Sequence, residues 1–208
     1  MARYREKRKK KSIGKRGLIL CEGETEENYF KGLISQDEYK RKFQAIDVNI
    51  FKPKDHSPVG LVNEAKKLIN KAKRERNAYN FIWVVFDKDG HDKIPDAFEI
   101  ARNNNPEINI AFTIPCFEFF VLLHFEKTTK PFRKCNSVIS QIKKNWLPNY
   151  EKASNLFDEI YDRKDLGCAN SKWVQDRADV DIKNGVRVYE LSAYSNIHEI
   201  VNFLYDLV

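Results

Sequence analysis

Cysteine is scarce and scattered in this chain: Cys21, Cys116, Cys135 and Cys168 include no CxxC pair. Their spacing offers neither a zinc cage nor a disulfide framework, and reduced thiols in a cytoplasm are the expectation. No apolar run approaches the roughly 18 residues of a membrane span. The N-terminal charges are not followed by the apolar core of a signal peptide. Both absences point to a soluble cytoplasmic protein with no membrane partner. A GxxxxGKS or GxxxxGKT loop is also missing, which excludes a P-loop nucleotide site in these residues. Acids are nearly absent from residues 1–16, where nine Lys or Arg face Glu6 alone, so the net +7 sits there and the rest is close to neutral. Such a leader is either a solvated tail or an electrostatic arm for nucleic acid.

What is present suffices for a folded domain: 208 residues, 42% hydrophobic and 12% aromatic. Leu18 to Cys21, Phe43 to Phe51, Phe81 to Phe86 and Ile108 to Ile114 read as strands. Helices are expected between them over Thr25 to Ser35, Ser57-Pro58 to about Arg76, and Ile94 to Asn103. This alternation predicts an α/β fold with a mostly parallel sheet flanked by helices, whose ligands bind at the carboxyl ends of the strands. From Cys116 the pattern turns helical, over Phe117 to Phe125, Asn136 to Trp146, Ala153 to Tyr161, Ser171 to Asp181 and Ser195 to Val208. The expected organisation is a basic leader over 1–15 and a single domain over 16–208. Within that domain, 16–115 form the α/β core and 116–208 a mainly helical extension packed on it.

Two acidic clusters end predicted strands. Glu22 follows the first strand, and Asp87 and Asp89 follow the third, so a parallel sheet brings them to one edge. Carboxylates gathered there repel one another unless a cation lies between them, and hard oxygen ligands suit Mg²⁺ or Mn²⁺. Glu26, four residues after Glu22, points along the same helical face and offers a second ligand. A two-ion site of that kind stabilises the attacking and leaving oxygens of phosphodiester cleavage. Competing readings are plain: Glu24, Glu26 and Glu27 suit the positive end of a helix dipole, and Asp-Lys-Asp-Gly is an ordinary turn.

These motifs carry a resemblance. CEGETE with Tyr29-Phe30, and later FDKD, is similar to the two halves of the TOPRIM fold. With FDKDGH, PCFEFF, LLHF and Ser195-Asn196-Ile197-His198 in order, the chain resembles the RloB-like family over nearly its whole length from about residue 14. The resemblance implies a magnesium-dependent nuclease of bacterial anti-phage or restriction-linked type, working with an AAA-type ATPase partner. It would make Glu22 a metal ligand and general acid or base, Asp87 and Asp89 metal ligands, and Glu26 the second acid.

Secondary candidates come from the same sheet edge. Glu118, in the apolar helix after the fourth strand, is a buried structural group or an extra ligand. His124 in that helix is a core residue or a substrate contact, and His91 an exposed turn residue or a proton shuttle. His198 reads as structural. Lys88, Lys52 and Lys54 with His56, and the Lys127 to Lys134 cations lie where they could meet phosphates. Trp146, Trp173 and Tyr194 are cover residues or stacking surfaces for bases. The leading expectation is a metal-dependent nuclease acting on DNA or structured RNA such as tRNA. The alternatives are a non-catalytic subunit that binds nucleic acid or an ATPase, and nucleotidyl or strand transfer. A second copy of the chain is a further candidate partner.

Overall fold

A strand with apolar side chains in both directions must be covered on both faces, and that requirement organises this molecule. The computed structural model describes residues 15–36 and 47–207. The expected leader, apart from Lys15, and residues 43–46 of the expected second strand lie outside them. Strands β1 (Arg16–Cys21), β2 (Asp47–Phe51), β3 (Phe81–Asp87) and β4 (Asn109–Ile114) are parallel, in the spatial order β2-β1-β3-β4. The short β5 (Tyr194–Ser195) joins β4 antiparallel. The sheet is mostly parallel, flanked by helices and followed by a helical C-terminal half, as the sequence predicts.

Alternate residues of each strand serve different layers. Leu18, Leu20, Ile82, Val84, Phe86 and Phe112 belong to the core shared with α2 (Pro58–Arg74) and α3 (Ile94–Arg102). Ile19, Cys21, Trp83, Val85 and Ala111 belong to a larger core on the other face. That core takes Tyr29, Phe30 and Leu33 from α1 (Glu24–Ser35) and all the apolar residues of α4 (Phe117–Leu123). The helical half completes it with α5 (Cys135–Asn145), the single turn α6 (Phe157–Ile160), α7 (Lys164–Lys183) and α8 (Ile197–Asp206). This half is therefore a cover over the sheet, not an appendage to it.

Local chemistry sets several boundaries. Ser57 caps α2 by accepting from the Gly60 amide at 3.1 Å, and Pro58 occupies the first turn. At the β4 edge, the two residues of β5 leave backbone unpaired, and Asn196 fills the gap. Its Oδ1 accepts from the Phe112 amide at 2.6 Å, and its Nδ2 donates to the Ile110 carbonyl at 3.0 Å. A side-chain amide thus extends the strand it follows.

Three sequence expectations change. The helix expected over Ala153 to Tyr161 shrinks to α6 and one 3₁₀ turn (Tyr161–Arg163). Ala153 has φ 62°, in the left-handed region, while its amide donates to Thr25 Oγ1 at 3.1 Å and its carbonyl accepts from Asn28 Nδ2 at 2.8 Å. Tertiary bonds to α1 outweigh local propensity there. The helix expected over Ser171 to Asp181 is longer, starting at Lys164. Finally, Cys116 and Cys135 form a disulfide, while Cys21 and Cys168 are free and buried. The partners stand 19 residues apart and meet because the chain doubles back from α4 into α5, which no cysteine spacing announces.

Close approach of α7 to α4 rests on Gly167. A Cβ there would lie 2.7 Å from three ring atoms of the fully buried His124, closer than packed carbon atoms tolerate. Gly167→Ala should lower the melting temperature by roughly 3–10 °C, from about 1–3 kcal/mol of overpacking. In a His124→Ala background the same change should cost less.

Candidate active site

The strand order reverses its direction of growth between β1 and β3: the chain leaves β1 for β2 on one side and β3 for β4 on the other. Helices then diverge to opposite faces, leaving a crevice at the carboxyl ends of these two strands. Cys21 pairs with Val85, and the Glu22 amide donates to the Val85 carbonyl at 3.0 Å, so Glu22 and Asp87 leave the sheet side by side. A cleft of about 380 Å³ opens there, and its walls include Glu22, Glu26, Asp87 and Glu118 together with Lys52, His56 and Lys152. A larger cavity of about 740 Å³, between α3 and the segment after α7, contains neither acidic motif.

Hydrogen bonds hold the two leading acids in place. Glu22 Oε2 accepts from the Asp87 amide at 3.0 Å, and Glu22 Oε1 lies 2.6 Å from His91 Nε2. Asp87 Oδ1 accepts from the Asp89 amide at 2.9 Å, closing a tight turn. Gly90 follows with φ 76°, a conformation that suits glycine, and the chain swings back to place His91 on Glu22. His91 thus sits against the leading acid.

Deeper in the cleft, Glu26 is 4% exposed and Glu118 2% exposed. Glu26 folds back against its own helix start: a Cβ on Gly23 would stand 2.5 Å from Glu26 Oε2. Glu118 Oε1 accepts from the Tyr150 hydroxyl at 3.1 Å and lies 3.7 Å from Lys152 Nζ. Its Oε2 lies 3.0 Å from Cys135 Sγ. Burial raises the Glu26 carboxyl to about 8, with the Glu118 and Glu22 charges adding to the effect. Asp87 is likewise raised well above the usual carboxylate range, by desolvation first and by Glu22 and Glu26 next. The acids at this edge therefore feel one another.

The predicted residues divide by position. Glu22, Glu26, Asp87, Glu118 and Lys52 line one cleft, and His91 touches it through Glu22. Asp89 is exposed and meets Asp87 through its amide. Lys88 Nζ donates to the Leu191 carbonyl at 3.2 Å, tying the turn to the segment before β5. Lys54 is exposed, with its carbonyl 3.3 Å from His56 Nδ1. The expectation that His124 contacts substrate is corrected: the ring has no exposed surface, and its Nδ1 donates to the Phe120 carbonyl at 2.9 Å. Burial lowers it to about 4, so it is a neutral core residue. His198, also buried, lies 3.1 Å from Ser171 Oγ, in keeping with a structural role.

Among the described residues, the metal-ligand-type atoms that lie within 4.8 Å of one another form a single trio, Cys116, Glu118 and Cys135, of which the two sulfurs are joined in the disulfide and offer no thiolate. No three of Glu22, Glu26, Asp87 and Asp89 come that close, since each leading carboxylate is turned to a hydrogen-bond donor. Tyr150, Lys152 and Thr25 belong to the cleft walls or their supports yet were absent from the sequence expectations. Nothing in LPNYEKAS marks Tyr150 or Lys152, because an irregular loop has no period to read.

With the folded Glu26 carboxyl raised to about 8, folding takes up a proton that the unfolded chain releases near 4.5. The associated stability is complete below about 4.5 and is lost as pH rises towards 8. In chelator, Glu26→Gln should melt above the parent at pH ~8.5, by roughly 5–10 °C, and converge with it towards pH ~4. An offset independent of pH would assign Glu26 another role.

Comparison with known proteins adds one positive finding. No curated protein and no solved structure matches the chain. The family model described as RloB-like protein matches residues 17–204, which include both acidic motifs, the α4 segment and the start of α8. That span takes in nearly all of the fold described above, and the chain belongs to the RloB-like protein family.

Proposed function

We propose that this protein is a metal-dependent nuclease with a TOPRIM-type active site, hydrolysing phosphodiester bonds of DNA or structured RNA in bacterial anti-phage defence. The observation that carries this reading is the cleft at the β1/β3 switch point, which Glu22, Asp87, Glu26 and Glu118 all line, with Lys152 as the cation near Glu118. Their oxygens are hard donors of the kind Mg²⁺ and Mn²⁺ prefer. Burial and mutual repulsion raise Asp87 and Glu26, and a cation would relieve both costs, so the donor set fits a divalent metal.

Glu22 and Asp87 would hold the ion, with Asp89 reaching it from the turn and Glu26 as a further ligand. When bound, a divalent ion supplies charge neutralisation at the scissile phosphate and a water of lowered pKa. The chain's own groups do the remaining work. Lys52 and Lys152, which both line the cleft, bind phosphate oxygens flanking the bond. His91 Nε2 fixes the Glu22 carboxylate and exchanges a proton with it at Oε1. Glu26, raised to about 8, carries a proton at neutral pH until a cation displaces it. The AAA-type ATPase partner belongs to this reading as well, since these residues hold no GxxxxGKS or GxxxxGKT loop and nucleotide-driven control would come from another chain.

A second reading has its own support. The leading acids are satisfied by internal hydrogen bonds and no three of them converge, which suits a subunit that binds nucleic acid or an ATPase without cutting. One experiment separates the two. With Mg²⁺, the parent should cleave at least one member of a panel of tRNA, single-stranded DNA and duplex DNA. Glu22→Gln and Asp87→Asn should each reduce that cleavage by about 100-fold or more, with melting temperatures unchanged or raised. Cleavage persisting in both variants would sink the metal reading, and no cleavage by the parent would favour the binding subunit.

A further inference from the structure

Cations and rings are paired on the helical cover, at residues that take no part in the hydrogen bonds described for the acid cleft. Phe125, just beyond α4, is stacked by Trp146 at the end of α5, with centroids 5.5 Å apart and planes at 20°. The Arg163 guanidinium carbon lies 5.2 Å from the Phe125 centroid. Trp146 is nevertheless 39% exposed, so it meets solvent while it stacks on Phe125, the ring that Arg163 also approaches. Close in sequence, Lys127 Nζ stands 4.6 Å over the Trp173 ring of α7, and the Arg177 guanidinium lies 5.1 Å from the same centroid. Both of these cations are exposed.

Each part has a consequence for a ligand. An exposed tryptophan already stacked on one neighbour offers a π surface, and every nucleobase has a π face to match it. Cations held against a ring are pre-ordered, so binding phosphate costs them less side-chain entropy. Lys143 and Lys144 stand exposed just before Trp146, adding positive charge to the rim. The neighbouring acid Glu126 is engaged by the Gln141 amide. Trp146 is also near the cleft: Tyr150 stands four positions further along the chain, a span of at most about 14 Å. The Tyr150 hydroxyl donates to Glu118 in the cleft wall.

We propose that this face is a binding site for single-stranded nucleic acid, an unpaired base stacking on Trp146 while Lys127 and Arg177 take flanking phosphates. A duplex keeps its base faces inside its own stack and has none to offer Trp146. The strand so held leads towards the acid cleft. That last step rests on the nuclease reading, whereas the binding itself does not.

The test uses the full chain in chelator, so that cleavage cannot interfere, with fluorescein-labelled oligothymidylate, oligouridylate and a mixed-sequence duplex of equal length. Both single strands should bind by anisotropy and quench tryptophan fluorescence, and their relative affinity separates DNA from RNA. Trp146→Ala should weaken single-strand binding by roughly five- to 150-fold, while Trp146→Phe keeps most of it and controls for folding. Joint replacement K127E/R177E should flatten the log–log salt dependence by about 1.4 or more, two phosphate contacts at about 0.7 each. Equal binding by Trp146→Ala and the parent would overturn the proposal, as would duplex binding as tight as that of the strands. Failure of both single strands to bind would also overturn it and leave the face to a protein partner. Binding without cleavage on restoring Mg²⁺ would sink the nuclease reading alone, and cleavage with Trp146→Ala indifferent would sink this one alone.

Discussion

Carboxylates that share a desolvated cleft cannot all be charged unless something positive stands among them. That constraint explains why the upper edge of the sheet looks as it does. Glu22 is held between a histidine ring and a backbone amide, Asp87 between its own turn and that same Glu22, and Glu26 folds back onto the helix it starts. Each acid has found the nearest partial positive charge. The raised proton affinities of Asp87 and Glu26 record burial first, and then the mutual repulsion that hydrogen bonds leave uncompensated. A site in this condition favours cations over neutral ligands, which is the core of the function proposed.

The acids reach one cleft only because of the order of the strands. With β1 and β3 adjacent and their crossovers leaving in opposite directions, the residues after two strands far apart in sequence emerge together. The helical half supplies the remaining wall. Thr25 and Asn28 of α1 grip both backbone polar groups of Ala153, which sets the loop bearing Tyr150 and Lys152 beside Glu118. The cleft is thus built by both halves of the chain.

Much of this was legible in the sequence, and the reasons differ between elements. Phe81 to Phe86 announces a buried strand through an unbroken apolar, β-rich run, and Ser57-Pro58 announces a helix start through cap chemistry. The acids after β1 and β3 were readable as a pair because the parallel order of strands could be inferred. Ala153 was read as helical because propensity is local and the bonds that hold its left-handed conformation come from α1. Lys88 looked like a phosphate ligand from its place between two aspartates, and its ammonium gives one of its three donors to the Leu191 carbonyl, a contact that spacing does not announce. His124 shared its helix with Glu118, but the two residues lie at opposite ends of α4, one at the cleft and one under Gly167. The disulfide was invisible for the same reason as Tyr150: contact across a doubled-back loop has no signature in spacing.

Asn196 bears on how the molecule is made. Its amide reaches back 84 residues to the Phe112 strand, with β5 just before it and α8 just after. During synthesis β4 therefore emerges with an open edge, and the larger core lacks Ile197, Ile200, Val201 and Leu204 until those residues arrive. A nascent chain halted between β4 and β5 would present an unpaired strand and an uncovered apolar face, the two features that most favour association with other chains. Completion of the sheet is thus a late event, and a single asparagine side chain closes it.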